Sequence, residues 1–165
     1  MKRLLILCLV ISFGISVHAQ SDSEDLTGTK VEDFELTDIE GNIISSQSTV
    51  GKVVVLNFWF IGCRPCLEEI PELNEVYNEY AGNEDVVFAS IALDELKKVR
   101  RKLNKYSIQY PVVADGSIAS ELFQVIGYPT NIVIDREGNY SFRFTGGFPG
   151  IGSLLARYIE AALEK

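Results

Sequence analysis

Two cysteines separated by two residues, Cys63 and Cys66, are the side chains of this 165-residue chain best suited to chemistry. They follow the apolar run 53–58, which predicts a buried strand, and they open a helical pattern that ends near Tyr80. A thiol at a helix N-terminus lies near the positive end of the helix dipole, which favours its thiolate. Arg64 adds a positive charge between the two thiols. The pattern predicts a nucleophilic thiolate with a second thiol that can resolve a mixed disulfide.

Residues 1–19 have the features of a secretory signal peptide. A basic start precedes an apolar run over residues 4–17, which is shorter than the roughly 20 residues that a membrane-spanning helix needs. A small-residue pattern then predicts cleavage after Ala19. We therefore expect an exported protein, periplasmic or otherwise extracytoplasmic, with 20–29 as a flexible lead-in and 30–165 as one domain. Retention of the leader as an uncleaved anchor is the alternative.

Cleavage would remove Cys8 and His18, leaving two cysteines and no histidine. A structural zinc site needs four ligands, and haem attachment needs a histidine where Leu67 stands. Catalysis by a Cys–His or Ser–His pair is excluded too. We expect no metal and no cofactor beyond a redox-active disulfide between Cys63 and Cys66. A structural disulfide is the alternative, although so small a loop constrains the unfolded chain little.

Alternating strands and helices must position the cysteines. The order strand–helix–strand in the first half predicts a parallel pair, and the two closely spaced last strands predict an antiparallel hairpin. Together they predict an α/β fold with a mixed sheet and helices on both faces. The predicted elements are a short hairpin over 34–38 and 42–44, strands over 52–60, 86–93, 111–114, 130–135 and 140–144, and helices over 65–80, 95–106, 118–124 and 151–164.

Glu69 differs from the other glutamates of the helix that follows the cysteines. Those glutamates cluster on a solvated face, whereas Glu69 falls at the edge of the apolar stripe, one turn from Cys66. A carboxyl that is partly buried there has a raised pKa and can exchange a proton with the second thiol. The alternative is a glutamate whose carboxylate extends into water.

The helix over 95–106 is strongly basic in a chain whose net charge is −8. Its apolar residues form an ordinary core stripe, so a solvated basic face is the simplest interpretation, and docking of an acidic partner or a membrane surface is the alternative. The acidic balance of the whole chain argues against nucleic-acid binding. The basic residues are Lys97, Lys98, Arg100, Arg101, Lys102 and Lys105.

These features together resemble the thioredoxin superfamily, and within it the TlpA-like or ResA-like thiol–disulfide oxidoreductases. The similarity covers about residues 26–165. It is carried by Asn57-Phe58-Trp59, by the Cys63-Arg64-Pro65-Cys66 motif, by Glu69-Ile70-Pro71 and by Gly127-Tyr128-Pro129-Thr130. It implies a thioredoxin-like three-layer sandwich with a mixed central sheet, an N-terminal β-hairpin and a central helix–strand insertion.

The resemblance also implies a role for each matching residue. Cys63 would be the attacking thiol and Cys66 the resolving thiol. Pro129 would be a cis-proline packed against the disulfide, beside backbone that pairs with a substrate peptide. Glu69 would handle protons, because Asn57 stands where thioredoxins carry a buried Asp. The residues expected to support the site or bind substrate are Trp59, Gly62, Arg64, Pro65, Tyr128, Pro129 and Thr130.

Gly62 departs from the family pattern, in which a Trp usually precedes the first cysteine. We therefore expect a wider opening above the disulfide. The implied partners are protein dithiols or disulfides and an upstream membrane electron donor, and cytochrome c maturation is a role that the resemblance allows.

Two other functions are alternatives to the reduction or exchange of protein disulfides. In a peroxiredoxin-like peroxidase the reactive cysteine normally follows a segment with Pro or Thr, and residues 59–62 contain neither. Thiolates suit Cu(I), so a copper-handling assembly factor is the second alternative. The lack of histidine after Ala19 argues against this alternative.

Overall fold

The computed structural model describes residues 25–165, so the signal-peptide prediction lies outside the described part. Every helix and strand that the sequence predicts is present, with ends that differ by one or two residues. The strands are β1 (Glu35–Thr37), β2 (Ile43–Ser45), β3 (Val53–Trp59), β4 (Val86–Ala92), β5 (Val112–Val113), β6 (Thr130–Ile134) and β7 (Tyr140–Thr145). The helices are α1 (Arg64–Glu79), α2 (Leu96–Tyr106), α3 (Ser117–Leu122) and α4 (Ile151–Leu163).

The five-stranded sheet has the order β5-β4-β3-β6-β7. β3 is parallel to β4 and antiparallel to β6, so the sheet is mixed as predicted. All seven residues of β3 are buried, because helices cover both faces of the sheet. Alternate residues of β3 belong to two different cores, one packed against α1 and α4 and the other against α3 and the β1–β2 hairpin. The prediction of a three-layer α/β sandwich is therefore confirmed.

The packed chain begins earlier than the predicted domain boundary at residue 30. Leu26 is buried in the core that contains the hairpin. The Gly28 N–H donates to the Tyr140 carbonyl at 2.7 Å, and the Tyr140 N–H donates to the Thr29 carbonyl at 2.9 Å. The lead-in predicted over 20–29 is thus paired with β7 in its last residues, since its single apolar side chain has a core site to fill. Between residues 25 and 165, no helix has both the length and the apolar character needed to span a bilayer.

Helix α1, which carries both cysteines, is fixed against α4 by one close approach. A Cβ added to Gly152 would lie 3.0 Å from the Glu72 Cβ and 3.1 Å from the Glu72 carbonyl oxygen, which is tighter than ordinary contact, so glycine allows the two helices to approach closely here. The Glu72 carboxylate accepts hydrogen bonds from the Gly150 N–H at 3.0 Å and the Gly152 N–H at 2.9 Å. It therefore satisfies N–H groups at the start of α4 that have no partner within that helix.

Candidate active site

Cys63 and Cys66 lie where β3 passes into α1, as the sequence predicts, and they form a disulfide. Cys63 is the N-cap of α1, and its sulfur accepts a hydrogen bond from the Cys66 N–H at 3.3 Å. Pro65 occupies the first turn, where a missing N–H is tolerated. Both cysteines are nearly buried, at 4% and 2% exposure. The N-cap hydrogen bond and the helix dipole both favour negative charge on the Cys63 sulfur.

Arg64 extends into solvent, where its Nε donates to the Glu68 carboxylate at 2.8 Å. Charge pairs that are this exposed are screened by water and contribute little. The thiolate at Cys63 therefore depends on the N-terminus of α1 more than on the arginine between the cysteines.

Gly62 adopts a φ of +94°, which side chains other than glycine rarely adopt. A Cβ built at this position meets no atom within 4 Å, so the space above the residue is open. Phe60, two residues before Gly62, is 36% exposed, and its ring meets Tyr128 edge to face, with centroids 5.5 Å apart. Phe60 was not among the residues that the sequence predicted for the site, because its position in the largely apolar run 53–61 gave no separate signal.

The segment 127–130 lies beside the end of β3, because Thr130 and Phe58 are cross-strand partners. The peptide bond between Tyr128 and Pro129 is cis, which agrees with the resemblance. Pro129 is buried, and Tyr128 packs against the cluster that contains both cysteines. The Thr130 hydroxyl donates to the Gly127 carbonyl at 2.8 Å and thereby holds the loop closed.

Trp59 lies beneath the disulfide rather than at the surface. It is 1% exposed and belongs to the same cluster as the two cysteines. Its indole N–H donates to the Ser90 hydroxyl at 2.6 Å, and its ring meets Tyr106 of α2 edge to face at 5.6 Å. These contacts make Trp59 a structural support of the site and leave it little surface for a substrate.

Glu69 is more deeply buried than its predicted position at a stripe edge indicates, with 3% exposure. Its Oε1 accepts from the Asn57 side-chain amide at 2.8 Å, and the Asn131 amide lies 3.2 Å from each carboxylate oxygen. Burial raises the pKa of Glu69 from 4.5 to about 7, although the hydrogen bonds from the two amides lower it in part. One helical turn separates this carboxyl from Cys66. The side chain can therefore gain and lose a proton near neutral pH.

Two members of this buried network, Asn131 and Tyr110, were not among the residues that the sequence predicted for the site. The Tyr110 hydroxyl donates to the Asn57 side-chain oxygen at 3.4 Å, and burial raises the pKa of Tyr110 so that it stays a neutral donor. A signal was available, because Asn131 directly precedes three apolar residues of a buried strand, and a buried amide needs a hydrogen-bond partner. The partner itself lies 62 residues away.

A cavity of about 250 Å³ is lined in part by Glu69. It lies between the first turns of α1 and the loop 147–149, with the glutamates 68, 69 and 72 on its α1 side and Phe148 on the other. Glu69 therefore both accepts hydrogen bonds from two amides in the sheet and lines this cavity. No three His, Cys, Asp or Glu side chains between residues 25 and 165 cluster in an arrangement that could hold a metal ion.

A sequence model of the AhpC/TSA family matches residues 27–141. The chain belongs to the AhpC/TSA family. Within the family it is similar to the thiol-disulfide oxidoreductase ResA of Bacillus anthracis, at 33% identity over 98% of this chain and 91% of that protein. It is 34% identical to the thioredoxin-like protein YneN of Bacillus subtilis (strain 168), over 67% of this chain and 66% of that protein.

The fold is similar to that of a thiol:disulfide interchange protein of the thioredoxin family from Chlorobium tepidum TLS. The TM-score is 0.70 and the identity 29%, over 82% of this chain and 96% of that chain. Sequence relatives and structural neighbours thus agree on one chemistry. This member of the AhpC/TSA family is a thiol–disulfide oxidoreductase of the ResA type.

Proposed function

We propose that the protein reduces or exchanges protein disulfides outside the cytoplasm, with Cys63 as the attacking thiol and Cys66 as the resolving thiol. The observation that carries the proposal is the position of the two sulfurs. Cys63 caps α1 and its sulfur accepts a backbone hydrogen bond, whereas Cys66 lies inside the helix, one turn from the buried Glu69. This arrangement supports a nucleophile at Cys63 and a proton acceptor beside Cys66.

The reaction proceeds in two exchanges. The Cys63 thiolate attacks one sulfur of a substrate disulfide, a mixed disulfide forms, and the other substrate sulfur leaves as a thiolate that takes up a proton. Cys66 then loses its proton and attacks the Cys63 sulfur, which releases the second substrate thiolate. Two electrons pass from the Cys63–Cys66 dithiol to the substrate. A separate dithiol donor must then reduce the Cys63–Cys66 disulfide.

Glu69 accepts the proton that Cys66 loses in the second exchange. A general base is most effective when its pKa lies near the working pH, and the pKa of Glu69 is about 7. Residues three apart on a helix lie within about 6 Å of each other at their Cβ atoms. The carboxyl is therefore in range of the Cys66 thiol, directly or through one water.

The proposal also covers where the protein acts and which molecules it reacts with. The basic start, apolar run and small-residue site at Ala19 support export. An exported reductant needs reducing equivalents from the cytoplasm, which supports a membrane protein as the electron donor. Because the resemblance allows a role in cytochrome c maturation, an apocytochrome c disulfide is the first substrate to test.

Single-cysteine variants test the mechanism. Mature protein that begins at Gln20 is assayed for reduction of a protein disulfide with a dithiol donor in excess. We expect Cys63→Ser and Cys66→Ser both to abolish turnover, and we expect only Cys66→Ser to accumulate a mixed disulfide with substrate. Full reductase activity of Cys63→Ser would contradict the proposal.

The same preparations separate the alternatives. Rapid consumption of hydrogen peroxide by the reduced protein would favour a peroxidase. Tight stoichiometric binding of Cu(I) without disulfide turnover would favour a copper-handling factor.

A further inference from the structure

Two amides from neighbouring strands converge on the one carboxylate that we assign to proton transfer. Asn57 of β3 and Asn131 of β6 are direct cross-strand partners, so their side chains share one face of the sheet. Asn57 is 5% exposed and Asn131 is fully buried. Amides in apolar strands destabilise the fold unless they are hydrogen-bonded, so the partners of these two groups matter.

The hydrogen bonds run in one direction. Tyr110 donates to Asn57, whose amino group donates to the Asn131 oxygen at 2.9 Å and to Glu69 at 2.8 Å. With its oxygen occupied in this way, Asn131 must turn its amino group towards Glu69. The orientation of Asn131 is therefore fixed by its neighbours before the carboxylate is considered.

We propose that Asn131 is a positioning residue that holds the Glu69 carboxylate beside Cys66 and prevents it from turning into the 250 Å³ cavity. This inference rests on the proposed function, in which Glu69 takes the Cys66 proton. Without Asn131, Asn57 would be the one amide left among residues 25–165 to donate to Glu69, and it reaches Oε1 alone. The carboxylate would then be free to rotate towards water between α1 and the loop 147–149.

The two carboxylate oxygens differ in how many donors they have. Oε1 accepts from both amides, whereas Oε2 accepts from Asn131 alone. Oε2 therefore has the greater capacity to take a proton. The proton leaves the Cys66 sulfur, binds Oε2 as Cys66 attacks the Cys63 sulfur, and then passes to water in the cavity.

The test follows both exchanges in one reaction with an aromatic disulfide, 5,5′-dithiobis(2-nitrobenzoate). Attack by Cys63 releases the first coloured thiolate, and resolution by Cys66 releases the second. We expect Asn131→Ala and Asn131→Leu to leave the first rate unchanged within about twofold. We expect the second rate to fall by about tenfold near pH 7 and its pH midpoint to move upwards. A carboxylate that turns into the cavity no longer takes the Cys66 proton, so the exchange then follows ionisation of a cysteine thiol without its base, for which the usual pKa is about 8.5.

Leucine nearly conserves the shape of asparagine in an apolar strand, so Asn131→Leu keeps the test valid if the smaller alanine disturbs packing. Asn74→Ala is the matched control. Asn74 is a buried amide of α1 that donates to the Ser107 carbonyl at 2.9 Å and makes no hydrogen bond to Glu69. A wild-type pH midpoint for the second exchange in both Asn131 variants would overturn the inference, as would an equal shift in Asn74→Ala.

Glu69→Gln in the same assay separates this inference from the proposed function. If Glu69→Gln leaves the second exchange unchanged, the role proposed for Glu69 fails. If Glu69→Gln slows that exchange and the Asn131 variants do not, the positioning inference alone fails.

Discussion

Replacing Glu69 by glutamine should change how the stability of the oxidised protein depends on pH. Burial raises the pKa of Glu69 from 4.5 to about 7 in the folded protein. Below about pH 4.5 the carboxyl is protonated in both the folded and the unfolded chain. Above about pH 7 it is ionised in both, and the folded state then contains a buried charge. The stability present at low pH is therefore lost as the pH rises from about 4.5 to about 7.

The size of the effect follows from the difference in pKa. At about 1.4 kcal/mol for each pH unit, the rise from 4.5 to about 7 corresponds to about 3 kcal/mol. The side chain is 3% exposed, so screening by solvent reduces this little. Glu69→Gln is neutral at every pH and keeps an oxygen that can accept from Asn57. We expect the unfolding free energy of the variant, relative to wild type, to increase by about 3 kcal/mol from pH 4 to pH 8.

Urea denaturation of both oxidised proteins at a series of pH values measures this difference. Carboxylates remote from Glu69 are present in both proteins, so their contributions cancel in the comparison. Glu75→Gln, which removes an exposed carboxylate from the same helix, is the matched control for the loss of one negative charge. A difference between Glu69→Gln and wild type that stays constant from pH 4 to pH 8 would refute a raised pKa at Glu69.

Three further substitutions test other contacts. Glu72→Gln should lower the unfolding free energy by about 1 kcal/mol, because a neutral amide binds the two N–H groups at the start of α4 less well; a urea midpoint equal to that of Glu75→Gln would contradict this. Gly62→Ala should destabilise by about 1–2 kcal/mol through its positive φ alone, and an unchanged thermal midpoint would count against it. Asp38→Ala should destabilise at neutral pH by a margin that shrinks as the pH falls below about 4. Hydrogen bonds from Asn42 and Glu40 hold the pKa of Asp38 below its usual value despite burial, so a margin that grows with acid would exclude this explanation.

The sequence predicted the elements well because each has a strong local signal. The run 53–58 is apolar throughout, which is typical of a strand covered on both faces, and glycine-containing turns bound the last hairpin. The placement of Cys63 at a helix start also follows from local pattern, since Pro65 is favoured in a first turn.

The sequence could not predict which distant segments of the chain pair with each other. Helical periodicity predicted that Glu69 lies at a stripe edge. Its hydrogen bond from Asn131 could not be predicted, because it depends on the pairing of β6 with β3. The pairing of Thr29 with Tyr140 has the same origin, since it joins the segment before β1 to β7. The apolar periodicity of one helix or strand does not reveal which other helix or strand packs against it.

Gly62 illustrates a different limit. The family resemblance predicts a wider opening at Gly62, and the empty space around its Cβ position agrees with this prediction. The reason for glycine, however, is a positive φ in the turn between β3 and α1, which a sequence pattern does not reveal.

The central claim is that Cys63 and Cys66 cycle between a disulfide and a dithiol. A redox titration of the mature protein tests it most directly, with both thiols trapped by an alkylating agent across a series of thiol buffers. We predict one reversible two-electron couple between about −300 and −200 mV, the range of a reductant that depends on an upstream donor. A couple near about −120 mV would contradict a reductant and indicate an oxidant. A disulfide that resists reduction throughout would contradict the enzymatic role of the pair altogether.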